Sequence, residues 1–253
     1  MKSLIIKILK MKKTVFFKTA IIPIILALVF MSCEKEKQGG LTLKFAGSAT
    51  QTGLTIKSDN VNAVIVESFK INIGEIELEF DDDVYISGYG YDDEIELKGP
   101  FEVDLIKNGD ALVTTIVSNV ELPDGRYEEI EFKFEKSKKS NSDLFQKTVL
   151  IKGTINGVPF IFFTDEEFEV EIEFEDYVNV DDATIAILMV SFDIASLFDP
   201  AQGGINIANA IDGNGNGIIE IYEDDPDGNE ELAERIEDRL DDIIEAFEDQ
   251  FDD

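Results

Sequence analysis

The chain has 253 residues, with 54 acidic against 22 basic side chains, no histidine, no tryptophan and one cysteine. Those absences exclude His-based catalytic triads, His-ligated zinc sites and any intramolecular disulfide. A formal charge of −32 repels phosphate backbones, which removes nucleic acid as a partner and favours cations, basic proteins or uncharged glycans.

The first 33 residues depart from this composition. They carry Lys2, Lys7, Lys10, Lys12, Lys13 and Lys18 and no acidic side chain. An apolar run from Ala20 to Met31 follows, interrupted only by Pro23. The run is shorter than the ~20 residues a membrane-spanning helix needs. A basic stretch, a short apolar stretch and then small residues is the layout of a secretory signal peptide, and Met11-Lys12-Lys13 would open one of more usual length. The run ends in Phe30-Met31-Ser32-Cys33, which resembles a bacterial lipobox, with Phe30 where Leu is more common. The sequence therefore predicts a lipoprotein signal peptide over residues 1–33 and lipidation at Cys33; an ordinary signal peptide with a chance cysteine is the alternative. Residues 34–40 (Glu34-Lys35-Glu36-Lys37-Gln38-Gly39-Gly40) form a polar tether that cannot bury apolar surface. A charged run directly after the cysteine is similar to the surface-export signals of Bacteroidota lipoproteins, and a plain spacer is the alternative. The expected address is the outer membrane or cell surface of a Gram-negative bacterium, held by several acyl chains because one alone binds marginally. Residues 34–253 keep 16 basic against 54 acidic side chains, a net of −38.

Beyond the tether, apolar and charged residues alternate. Leu41-Thr42-Leu43-Lys44-Phe45, Glu75-Ile76-Glu77-Leu78-Glu79-Phe80, Glu129-Ile130-Glu131-Phe132-Lys133-Phe134 and Glu167 through Glu175 all have period two, so each buries one face as a strand. Between the second and third, Tyr85, Tyr89 and Tyr91 stand in a Gly-rich stretch. They are candidate glycan-stacking rings, with an exposed strand end as the plainer account. In Leu122-Pro123-Asp124-Gly125, Pro123 fixes φ and Gly125 is expected to permit a positive φ. Lys136-Ser137-Lys138-Lys139 reads as a solvated loop. Asn156-Gly157 between Val149–Ile155 and Val158–Phe163 is a strong two-residue hairpin signal. Thr184 to Phe192 is apolar on both faces and is expected to be a central, covered strand. The whole predicts a mainly β chain, an antiparallel β-sandwich over residues 41–200. The outward glutamates read as protection against aggregation, with divalent ions or a basic partner as the functional alternative.

Three segments form an ordered series: Phe69 through Leu78, Phe101 through Ile106, and Leu122 through Ile130. A strand, an Asp-Leu segment and a Leu-Pro-x-Gly-x-Tyr turn into a further strand resemble the bacterial lipoprotein domains grouped as "domain of unknown function 4382", over about residues 40–175. The resemblance implies an extracytoplasmic β-domain and names no reaction.

The sharpest chemical motif is Asp212-Gly213-Asn214-Gly215-Asn216-Gly217-Ile218-Ile219-Glu220-Ile221-Tyr222-Glu223, which fits an EF-hand calcium loop. Asp212, Asn214 and Asn216 supply oxygens at positions 1, 3 and 5, Gly217 makes the sharp turn, and the Ile218 carbonyl serves position 7. Ile219 packs inward, Glu220 acts through water at position 9, and Glu223 is the bidentate ligand at position 12. An acidic, Gly-rich linker is the alternative. Pro226 prevents a long helix from leaving the loop, and residues 203–211 permit only a short one entering it. The segment therefore looks like an isolated calcium loop of the dockerin or extracellular type. Asp225, Asp227 and Asn229 repeat the alternate-oxygen spacing without the glycine, so a second ion near Asp225 competes with Asn229 as a helix N-cap. An amphipathic helix is expected from Glu230 to Phe251, with Leu232, Ile236, Leu240, Ile243, Ile244, Phe247 and Phe251 on one stripe. Residues 201–253 are thus a calcium loop plus helix appended to the sandwich. Two function classes follow: a non-enzymatic, lipid-anchored structural or ligand-binding protein with glycan or surface-protein partners, or a carboxylate-dependent glycan hydrolase.

Overall fold

Period-two alternation becomes strand wherever the sequence carries it. The computed structural model describes residues 39–48, 55–57, 63–81, 94–181 and 185–251. The expected signal peptide over residues 1–33 with Cys33, residues 34–38, and Tyr85, Tyr89 and Tyr91 lie outside those residues. In chain order the elements are β1 (Gly39–Ser48), β2 (Thr55–Lys57), β3 (Ala63–Phe80), β4 (Glu94–Lys107), β5 (Asp110–Ala111), β6 (Val113–Leu122) and β7 (Gly125–Phe134). There follow β8 (Val149–Ile155), β9 (Val158–Thr164), β10 (Phe168–Val180), β11 (Ile185–Asp193), α1 (Ile194–Phe198), β12 (Ile219–Ile221) and α2 (Glu230–Phe251).

Among the described residues these strands make two sheets, a three-stranded one in the order β11-β1-β6 and a nine-stranded one organised by β3. The expected mainly β sandwich is therefore observed, antiparallel-rich but mixed: β1 runs parallel to β11 and β9 parallel to β12. Leu41, Leu43 and Phe45 of β1 point inward and are fully buried. The Phe45 ring meets Phe132 edge-on at 5.2 Å and stacks on Phe192 at 5.5 Å, which joins the sheets.

β3 is long enough to serve two neighbours along one edge. Its first part, Val64–Ile71, pairs with β8, and its second, Ile73–Phe80, pairs with β7. Asn72 sits at the fork, 1% exposed. Its backbone N–H donates to the Thr148 carbonyl at 2.9 Å and its side-chain amide donates to the Glu135 carbonyl at 2.8 Å. The asparagine thereby ties both diverging strands to β3 with groups that would otherwise be buried without partners.

The Asn156-Gly157 hairpin forms as expected, with φ of 54° and 81° and Ile155 opposite Val158, the conformation of a type I′ turn. Two local expectations need correction. Gly125 is not among the positive-φ residues. The corner from β6 to β7 is held instead by the buried Tyr127 hydroxyl, which donates to the Pro123 carbonyl at 2.9 Å. The segment Thr184–Phe192 is not a central, covered strand. β11 is an end strand of the small sheet, and Ile185, Ile187 and Met189 are 53%, 61% and 52% exposed. Apolar residues on both faces of a strand show that neither face wants water; they do not show that the protein's own chain covers both.

The C-terminal part enters the same core. Ile219 and Ile221 of β12 and Ala233, Ile236 and Leu240 of α2 are buried in the cluster that contains the strand residues. Leu232 packs against it, partly buried. The stripe beyond Leu240 lies outside the side chains described.

Candidate functional site

The predicted calcium loop is built from consecutive side-chain turns. Residues Ile207–Asn209 form a single 3-10 turn capped by Asn206, whose Oδ1 accepts from the Ala208 N–H, so the short approach is as the sequence implied. Asp212 then accepts the N–H of Asn216 on one carboxylate oxygen and that of Gly217 on the other, at 3.0 and 2.9 Å. Asn214 Oδ1 accepts from the same Asn216 N–H, and Asn216 Oδ1 accepts from Ile218 N–H. The three alternate side chains therefore fold their oxygens over one short turn, which Gly217 enters at φ 88°. Gly213 has a separate reason: a Cβ there would lie 2.2 Å from the Asp227 carbonyl oxygen.

The other predicted ligands are placed differently. Glu220 reaches back to the turn, where one carboxylate oxygen accepts from the side-chain amides of both Asn214 and Asn216 at 2.9 Å. Its second oxygen accepts from the Tyr222 hydroxyl at 3.0 Å. The Tyr222 ring stacks on Phe163 at 4.3 Å, so the sheet orients Glu220 through Tyr222. Burial, then the Glu220 carboxylate, pushes the Tyr222 phenol up to about 12. Ile218 is exposed, and Ile219, at position 8, is buried and pairs with Phe160 of β9. In this chain the loop docks on the sandwich itself rather than on a second hand. Glu223 is exposed. Asp212, Asn214, Asn216 and Glu220 are thus brought together, while Asp212, Glu220 and Glu223 do not form a close carboxylate triad. The donor set is all oxygen, the chemistry a hard cation such as calcium prefers.

Asp227 and Asn229, which sequence reasoning assigned to a second ion or a helix cap, hold this loop from behind. Buried Asp227 accepts the Asn214 N–H on one oxygen and the Glu220 N–H on the other, at 3.0 and 2.7 Å. Buried Asn229 accepts from the Ile211 N–H and donates to the carbonyls of Ile211 and Glu220. Its backbone carbonyl does receive the first helical N–H groups, from Leu232 and Ala233, but its side chain serves the loop rather than the helix. Asp225 receives the N–H groups of Asp227, Gly228 and Asn229. The alternate-oxygen spacing was the visible signal, and backbone amides take up those oxygens.

A second feature appears only with strand register. Glu77 pairs with Glu96 on β4 and with Glu131 on β7, and Glu131 pairs with Glu171 on β10. The next row is Glu94, Glu79, Glu129 and Glu173, and the row on the other side is Lys98, Glu75, Lys133 and Glu169. One sheet face thus presents three in-register rows with two lysines among ten glutamates. Lys133 lies 2.7 Å from Glu77, 3.6 Å from Glu75 and 3.7 Å from Glu131, and Lys98 pairs with Glu75 and Glu96. The Lys98 ammonium holds Glu75 down at about 2, while burial raises Glu77 to about 7 against the pull of Lys133. Burial, then the Glu171 carboxyl, raises Glu129 to about 8. Two carboxylate triads lie close together, Glu75 with Glu77 and Glu96, and Glu129 with Glu171 and Glu173. Within each triad the carboxylate oxygens lie within 4.8 Å of one another, at or below the roughly 5–9.5 Å by which glycosidases separate their two carboxyls.

The lysines of the 136–139 loop are engaged as well, Lys136 with Asp165, Lys138 with Glu135 and Lys139 with Glu102. An open groove of about 350 Å³ beside them is lined by Lys70, Phe101, Glu102, Asp104, Thr114 and Lys139 among others, and its ions pair internally, Lys70 with Asp104 and Lys139 with Glu102. In comparisons with family models, curated proteins and solved structures, nothing matches this chain.

Proposed function

We propose that this chain is a lipid-anchored extracytoplasmic protein of structural or ligand-binding type, tethered through Cys33 and stabilised by calcium in the 212–223 loop. The observation that carries the reading is the folding of Asp212, Asn214 and Asn216 over a turn at Gly217, with Glu220 drawn to the same place. Asp212, Asn214, Asn216, the Ile218 carbonyl, Glu220 and Glu223 would hold the ion, which would supply charge neutralisation to the loop's carboxylates. Because β12 and α2 share the core, the ion's effect is read as stability of the whole domain. The lipobox-like Phe30-Met31-Ser32-Cys33 supports the anchor, and calcium outside the cytoplasm makes a weak site sufficient.

Melting would be followed in millimolar calcium and in excess chelator. Extracellular sites bind at about 10⁻⁴–10⁻³ M, so the ion stabilises by about 0.4–1.4 kcal/mol. Asp212→Ala combined with Glu223→Gln removes the difference. A wild-type chain that melts identically in both buffers refutes the calcium reading.

A further inference from the structure

The outer face of the small sheet is unlike the rest of the surface. On β11, Ile185, Ile187 and Met189 alternate outward and are more than half exposed, and Val113 on β6 is 63% exposed. The register sets Ile187 beside Thr42, Met189 beside Lys44, and Lys44 beside Thr115. The charged residues on the outward positions of these three strands are few: Lys44 at mid-sheet, with Glu121 near the end of β6 and half-buried Asp193 at the end of β11. The glutamate rows occupy the outer face of the other sheet. Since a sandwich turns its two outer faces away from each other, the molecule is polar across its thickness, with an apolar, sparsely charged side and a densely acidic one.

The tether identifies what covers the apolar side. Gly40 pairs directly with Ile185, so β1 begins at the end of the exposed stripe. Only Glu34 to Gln38 separate Gly39 from Cys33, a reach of about 20 Å when fully extended. A lipid on Cys33 therefore keeps this edge of the sheet within a few residues' length of the bilayer. An anionic membrane surface repels the glutamate face and accepts apolar side chains to a depth of about 5–10 Å.

We propose that the outer face of the β11-β1-β6 sheet lies against the bilayer that holds the lipid, with Ile185, Ile187 and Met189 in the interface and the glutamate face turned away. This orientation rests on lipidation of Cys33. It also accounts for β11, whose second apolar face is left exposed among the described residues.

The test uses the full chain produced in a host that processes lipoproteins and reconstituted in vesicles of phosphatidylethanolamine and phosphatidylglycerol. Cys33 is the only native thiol and is blocked by lipid, so a fluorophore can be placed at Ile187→Cys or, on the acidic face, at Glu96→Cys. Nitroxide-bearing lipid should quench the first label several-fold more than the second. Ile185→Cys against Lys98→Cys gives an independent pair should either variant misfold. The mass of the N-terminal peptide reports the lipid separately. Lipidated protein with equal quenching at both faces overturns the orientation and leaves the anchor standing. An N-terminal peptide without lipid overturns both.

Discussion

The two outer faces of the sandwich solve opposite problems with the same strand chemistry. Both arise from period-two alternation around a shared core, and both put β-branched or long side chains on a pleated surface. On the large sheet, four neighbouring strands bring glutamates into register, and the resulting repulsion is relieved by two lysines and by the raised pKa of Glu77 and Glu129. On the small sheet the outward residues are mostly apolar or uncharged, with Ile185, Ile187 and Met189 more than half exposed, and water is the cost. The difference shows that a strand's outward residues report what each face meets, whereas its inward residues report only that a core exists.

The strongest way to break the comparison is to remove the core that both faces share. Phe132→Ala leaves a void against Phe45 and should cost about 3–5 kcal/mol. In chemical denaturation both sheets should unfold in one transition; loss of one sheet alone would show that the faces belong to separable units. Lys133→Met attacks only the acidic face. It strips the cation from Glu77, whose side chain is 6% exposed, and should destabilise by about 2 kcal/mol near neutral pH. The loss should shrink in mild acid, where Glu77 takes up a proton instead.

The smallest effect sharpens the contrast by pH. Glu77 and Glu129 have folded-state values of about 7 and 8 against an ordinary 4.5, so between those limits the folded chain binds more protons than the unfolded one. Their contribution is complete below the ordinary value and is lost as pH rises through the folded values. Glu75, held at about 2, contributes above 4.5 and loses that contribution as pH falls. Melting temperature should therefore peak at about pH 5 and decline toward pH 8. Glu129→Gln should flatten the alkaline side and stabilise by about 1 kcal/mol at about pH 8, with little change at about pH 5. Ile187→Ser on the apolar face should leave the shape of the curve unaltered, and a parallel flattening there would end the assignment of the pH dependence to the glutamate rows.

Much of the local structure is legible in the sequence. The alternating segments became β1, β3, β7 and β10, the Asn156-Gly157 turn closed its hairpin, and Asp212, Asn214 and Asn216 fold their oxygens over the turn at Gly217. Less legible were residues whose role depends on distant chain. Asp227 and Asn229 carried the right atoms for a cap or an ion, yet they clamp the backbone of the loop, because the chain doubles back at Gly228 and sets them behind it. Tyr127 stood in the sequence only as the last residue of the Leu-Pro-x-Gly-x-Tyr turn, and its hydroxyl holds the corner that Gly125 was expected to make.

By itself, the sequence determined the elements: alternation selects strands, turn residues with positive φ select hairpins, and a 3.6-residue stripe selects the helix, all through interactions within a few residues. Only the tertiary structure decided which strands are neighbours. That choice aligned the glutamates into rows, left β11 at the end of a three-stranded sheet, and brought β12 to β9 so that the loop rests on the core. Register between remote strands is set by the collective burial of Phe45, Phe132 and their neighbours, a property of the packed whole that no single segment encodes.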